Sequence, residues 1–323
     1  MKYGRIEGID KPVSRLVQGT LMVSTDDLEA SIDFLDGIRA LGCNSFDTAP
    51  VYGNGKAERA LGAWMDRRGN RSDVFILSKG GHPNADRGRR VTVFDVASDL
   101  FDSLARLRTD YIDLYLLHRD DPAVPVGPLV EALNEHMSEG RIRAFGGSNW
   151  TVNRIQEANS YAESRGLTPF AASSPNFSLA VRVKEIWEGC LSISGPRGAG
   201  ERAWYRESQM PVFSWSSLAQ GFFSGLLTRE NIAGMAKETT QGCAQVYGYE
   251  ENFTRLERAT ELAGERGKTV AQIALAYLFN QPLNVFTVSG CRSVEESLLN
   301  REAMEVGLTR DELDWLDLRR ESR

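Results

Sequence analysis

The sequence predicts an α/β fold: a (β/α)8 TIM barrel, one domain over residues 1–323 with loop insertions and a C-terminal helix. Three observations predict it. Short β-rich runs alternate with longer stretches of 3.6-residue apolar periodicity, and the alternation recurs eight times. A length of 323 residues allows two domains of about 150 residues each, but no Gly/Pro-rich or charge-block linker separates two halves, which favours a closed barrel over two doubly wound domains. Finally, polar residues able to carry chemistry fall at the ends of the apolar runs, the face on which such barrels build their sites.

The elements follow in order. Residues Tyr3 to Val13 hold Gly8 and Asp10 between short β-like runs, so a hairpin closing the barrel bottom is expected. The first expected strand is Arg15–Gly19, and its helix Asp27–Leu41. Asn44–Asp47 should lead to Ala57–Arg67, Val74–Ser78 to Val93–Leu107, Tyr111–Leu117 to Gly127–Glu139, and Ile142–Gly147 to Val152–Ser164. The sixth expected strand, Phe170–Ser173, precedes helical periodicity over Leu179–Glu188. From Gly189 to Gln209, including Gly195-Pro196-Arg197-Gly198-Ala199-Gly200, the unit carries what reads as a long insert, and such loops tend to be lids or binding loops. The stretch from Thr228 to Tyr249 reads as a second covering segment. Val212–Trp215 should precede a helix pair near Glu250–Arg266 and Val270–Phe279, and Val285–Val288 should precede Val294–Arg301. Thr309, with Glu312 three residues on, is a capping box that opens a terminal helix through Leu313 and Leu316.

Composition excludes several function classes. Thirty-eight basic and 44 acidic residues leave a net charge of −6, the wrong sign for nonspecific nucleic-acid binding. Ile273 to Phe279, the most apolar run, is far below the ~18 residues of a membrane span, so no membrane partner is expected. The first residues lack the apolar core of a secretory signal, and the four cysteines form no C-x-x-C pair, which together fit a cytoplasmic location. With three histidines and no H-E-x-x-H, no metal site is expected. Gly264-Glu265-Arg266-Gly267-Lys268-Thr269 ends like a P-loop, but Leu262 stands at the required first glycine and no strand precedes it.

The second expected strand ends in Asp47, the third in Lys79, the fourth in His118 and the fifth in Ser148-Asn149, so these groups should converge on one mouth. Around Asp47 the sequence reads Phe46-Asp47-Thr48-Ala49-Pro50-Val51-Tyr52-Gly53. With Lys79 in Ile76-Leu77-Ser78-Lys79 and His118 in Leu116-Leu117-His118, this resembles the aldo-keto reductase superfamily over about Leu16 to Asn300. The resemblance implies a (β/α)8 barrel that reduces carbonyls with NADPH through an Asp-Tyr-Lys-His tetrad: Asp47, Tyr52, Lys79 and His118. In physical terms Tyr52 would be the general acid, Lys79 would lower its phenol pKa, Asp47 would hold Lys79 charged, and His118 would orient the carbonyl oxygen.

No G-x-G-x-x-G follows the first strand, so cofactor capture must be built differently. The resemblance assigns Ser148 and Asn149 to the nicotinamide carboxamide and Trp215, with Ser216 beside it, to the place of a ring-stacking tyrosine. Ser174 falls where a carboxamide-binding glutamine is common, a departure that Asn176 would have to make good. Leu218, Gln220 and Ser224 would line the pyrophosphate. Gly290, Arg292, Glu296 and Asn300 would take the adenosine half, Arg292 pairing with the 2′-phosphate and so selecting NADPH over NADH.

Arg119-Asp120-Asp121-Pro122 after His118, and His82 after Lys79, predict a polar mouth suited to a hydroxylated or charged small-molecule carbonyl, such as a sugar aldehyde. Trp204 and Tyr205 would either wall a sugar site or pack on the barrel exterior. Two rival readings remain: a Schiff-base lyase using Lys79, which needs a depressed lysine pKa, and an NADP(H)-binding regulatory subunit with little turnover.

Overall fold

The computed structural model describes all residues except 85, 87, 226, 227 and 232–240, and only the backbone of 241 and 242. Eight parallel strands close into a barrel: β3 (Leu16–Gly19), β4 (Ser45–Asp47), β5 (Phe75–Gly80), β6 (Ile112–Leu117), β7 (Ile142–Ser148), β8 (Ala172–Ser174), β9 (Val212–Ser214) and β10 (Val285–Ser289), which pairs back onto β3. Every residue of β5 and β6 is buried, as expected where helices cover a parallel sheet.

The two-residue period of a strand decides which side chains reach the mouth. Along β5, Phe75 and Leu77 join the interior cluster and Ile76 the outer one, so Lys79 follows them inward. Leu114 and Leu116 on β6 set the same phase for His118, and outward Phe46 leaves Asp47 facing in. Pairing of Gly19 with Asp47, Asp47 with Leu77 and Lys79 with Leu116 brings these ends to one level.

The expected hairpin is present at the opposite end. β1 (Tyr3–Gly4) pairs antiparallel with β2 (Val13–Ser14), and Ile6 and Val13 enter the interior cluster beside Val17 and Phe286. Outside the barrel, helices start on side-chain caps where the sequence supplies them: Asp27 before Leu28–Ala40, Thr92 before Val93–Leu107, Thr151 before Val152–Ser164 and Ser293 before Val294–Glu302. The terminal capping box forms, with Thr309 and Glu312 bonded reciprocally ahead of Arg310–Leu316. The P-loop-like run is a helix–helix turn: Gly267 ends one helix at φ 60° and Thr269 caps the next.

One helix is misplaced in the sequence reading. Leu179–Glu188 is not helical, and the sixth helix is Ala199–Ser208, inside the segment read as an insert. The backbone of the earlier stretch is committed to distant partners: Val181 N–H donates to Asn252 Oδ1 and Val183 N–H to Val246 O. The later stretch is primed for helix instead, because Gly195 takes φ 66° and Pro196 follows at the start of the turn. The surplus of this unit is therefore 175–198. Of the second covering segment, 232–240 lies outside the described residues, and Gln241–Tyr247 forms a short helix.

Candidate active site

Three strand ends and one loop build a dry constellation at the barrel mouth. Asp47, Lys79 and His118 are buried. Tyr52 arrives from the loop after β4, where its N–H bonds to Ala49 O and the following Gly53, Asn54 and Gly55 all adopt positive φ, turning the chain back over the barrel. The Lys79 ammonium has three hydrogens and finds three oxygens: Asp47 Oδ1 at 2.5 Å, Thr48 O at 3.0 Å and Tyr52 Oη at 3.2 Å. The Tyr52 hydroxyl in turn donates to Asp47 Oδ2 at 3.4 Å. The Tyr52 and His118 rings stand edge to face at 6.3 Å, and the His82 ring lies 4.7 Å from that of His118.

Electrostatics assign protonation states. Burial alone would push Lys79 down, but the charge of Asp47 and the contact with Tyr52 outweigh it and hold the ammonium above its ordinary range. Burial pushes the Asp47 carboxyl up against the pull of Lys79. Burial and the neighbouring Asp47 raise Tyr52 above the usual phenol value, and Lys79 offsets this only in part. The expectation of a depressed phenol is thus corrected: Lys79 does favour the phenolate, yet desolvation dominates and Tyr52 stays protonated. His118 is driven well below the ordinary imidazole range by burial and by Lys79, Arg119 and His82, so it is neutral. Its buried Nδ1 has no partner among the described residues.

The residues expected around a cofactor divide into two groups. Some are engaged within the protein. Ser148 Oγ donates to Ser174 O, Ser174 Oγ to Phe213 O, and Asn149, at φ 60°, donates to Ser148 Oγ and His118 O while accepting from Leu191 N–H. The Asn176 amide is taken up by Trp215 O and Ser192 Oγ, and Asn300 holds Ser289 and Cys291. Leu218 packs against the outer core, and Glu296 accepts from the backbone N–H of Arg292 at 2.6 Å. Two others present unmet groups. Trp215 Nε1 and Gln220 Oε1 are buried without partners among the described residues, next to Ser216 and Gln220 in the left-handed region. Ser224, Gly290 and Arg292 are exposed at the rim.

A family model described as Aldo/keto reductase family matches residues 15–318. The chain belongs to the aldo/keto reductase family. Membership makes this aldo/keto reductase an oxidoreductase. Among its relatives is a probable voltage-gated potassium channel subunit beta of Oryza sativa subsp. japonica, 28% identical with 95% of this chain and 92% of the relative covered. An aryl-alcohol dehydrogenase (NADP+) of Phanerodontia chrysosporium is 26% identical over 91% of this chain and 77% of the relative. A solved glycerol dehydrogenase from Gluconobacter oxydans shares the fold at a TM-score of 0.75 and 23% identity, over 98% of this chain and 94% of that one.

One neighbour of this aldo/keto reductase's constellation escaped the sequence reading: Trp187, on the segment expected to be helical, lies 6.2 Å from the Trp215 ring. Arg119, expected at a polar mouth, sits deeper than a loop charge usually does, at only 7% exposed.

Proposed function

We propose that the protein reduces an aldehyde or ketone to the alcohol with NADPH, Tyr52 serving as general acid. The observation that carries this is the Lys79 ammonium, fixed by three oxygens of which one is the Tyr52 hydroxyl. That arrangement leaves the protonated phenol at the mouth beside a neutral imidazole. In reduction, Tyr52 gives its proton to the carbonyl oxygen, and the ammonium at 3.2 Å stabilises the phenolate that remains until solvent reprotonates it. Neutral His118 hydrogen-bonds the same oxygen and orients the carbonyl carbon. Burial of the set excludes water, which strengthens each charge interaction.

A nicotinamide cofactor, when bound, supplies the hydride. The unmet Trp215 Nε1 and Gln220 Oε1 fit such a group, as does Arg292, whose guanidinium has no ion pair among the described residues. Trp215 would stack on the ring, Ser148 and Asn149 would sit at its carboxamide edge, and Arg292 would meet a 2′-phosphate. The NADP+ named for the aryl-alcohol dehydrogenase supports this preference. Tyr52→Phe tests the reading: NADPH oxidation with a panel of aldehydes and ketones should fall by ~10²- to 10⁴-fold while cofactor affinity holds. Full activity would remove the acid assignment.

The channel-subunit relative favours a second reading, an NADP(H)-binding regulatory protein. Cofactor binding with no oxidation of NADPH by any carbonyl would support it. The Schiff-base reading is disfavoured by the charged state of Lys79.

A further inference from the structure

Among the described residues three Lys or Arg side chains are buried: Lys79, Arg119 and Arg255. Lys79 pairs with Asp47 at 2.5 Å and Arg255 with Asp317 at 3.8 Å. Arg119 has no carboxylate within 4.0 Å among the described residues. Among the described residues its side chain makes one hydrogen bond, from Nη1 to the His118 carbonyl at 2.9 Å. The acids beside it in sequence are occupied elsewhere. Asp120 takes Arg154 through two contacts of 3.0 and 3.1 Å, and Asp121 takes Arg89 at 3.1 Å. Cys190, which feels the Arg119 charge, is no counter-ion, because burial keeps its thiol protonated.

The position of this guanidinium is also defined. The Arg119 carbonyl accepts the Trp150 indole N–H at 3.1 Å, and the His118 carbonyl that Arg119 holds also accepts from Asn149. Its charge reaches the rings of His82 and His118. Held to the His118 carbonyl, it therefore lies beside the paired imidazoles at the ends of β5 and β6 and within reach of Cys190. A guanidinium only 7% exposed, with one hydrogen bond and no counter-ion among the described residues, is best completed by an anion, and its planar fork matches a carboxylate or phosphate.

We propose that Arg119 is a specificity residue that binds an oxyanion carried by the carbonyl substrate, so that oxo acids or phosphorylated aldehydes and ketones are preferred to neutral carbonyls. This rests on the reductase reading of the same mouth. The test compares linear aldehydes with their ω-carboxylate and ω-phosphate counterparts of matched chain length, using NADPH and the full chain. In the wild type the anionic member of at least one series should have a roughly ten- to hundredfold lower KM than the neutral one, and the better of the two series identifies the oxyanion. Arg119→Met should bring that ratio close to one, and Arg119→Lys should restore part of it. A wild-type ratio near one, or a ratio that survives in Arg119→Met, overturns the proposal.

A second measurement separates this idea from the reductase reading. Without cofactor, succinate or inorganic phosphate should raise the Tm of the wild type but not of Arg119→Met, and ligand-free Arg119→Met should melt above the wild type because an uncompensated charge has been removed. A lower Tm for ligand-free Arg119→Met would show a packing role and overturn the proposal. If no carbonyl is turned over but the anion-dependent Tm rise is seen, the reductase reading fails and the oxyanion site stands.

Discussion

A buried lysine whose every hydrogen is already bonded can hold a phenol in one place only, and that fixes what substitutions at the mouth should do. Lys79→Met would leave Asp47 buried and unpaired, so it should cost about 3–5 kcal/mol of stability and slow reduction, as read by urea melts and steady-state rates. The pH profile follows from two states. Tyr52 is raised above the usual phenol value and serves as acid only while protonated, so kcat/KM should hold through neutral pH and decline where the phenol ionises, above ~10. His118 is neutral down to well below the ordinary imidazole range, so no acidic limb should appear near pH 6.5; a limb there would contradict the neutral imidazole. At the rim, Arg292→Ala should raise the Kd for NADPH more than for NADH, and equal losses would remove the 2′-phosphate contact. Asp47, Lys79 and His118 were legible because buried strands ended on them. The burial of Arg119 was not, since a charge in a loop looks solvated until the rest of the fold is packed around it.

At the scale of elements, strands and capped helices announce themselves through short-range signals, and the N-terminal hairpin and terminal capping box were accordingly found. The stretch Leu179–Glu188 has helical apolar spacing too, but its donors are claimed by chain far away, and no local pattern carries that information. Asn252 is the main tether: its carboxamide accepts from Val181 N–H at 2.9 Å and donates to Val181 O at 2.7 Å and Tyr247 O at 2.9 Å. Asn252→Ala should destabilise this segment by about 1–3 kcal/mol. Hydrogen exchange should then speed up at Val181 and Val183 while the strand amides keep their protection, and KM for the carbonyl should rise because Leu191, which donates to Asn149 beside His118, is held less firmly. Uniform loss of protection would mean instead that the tether supports the whole barrel.

For the molecule as a whole, the barrel interior is a filled core. Phe75, Phe213 and Phe286 stack nearly parallel, with ring centroids 6.0 and 4.9 Å apart. Gly4 of the hairpin lies so close to Phe286 that a Cβ would come within 2.6 Å of its ring. Phe213→Ala removes the middle ring and should cost about 3–5 kcal/mol, seen as a lower Tm, while the hydrogen bonds of Lys79 at the other end of the barrel stay in place. The closure of the sheet has a consequence in time. The last strand, β10, zips onto the first, Leu16 meeting Thr287, so a chain leaving the ribosome exposes two open sheet edges until nearly all of it has been made. Contacts so distant in sequence form slowly. The same seam that completes the mouth is therefore where a growing or partly unfolded chain is most open to pairing with a neighbour.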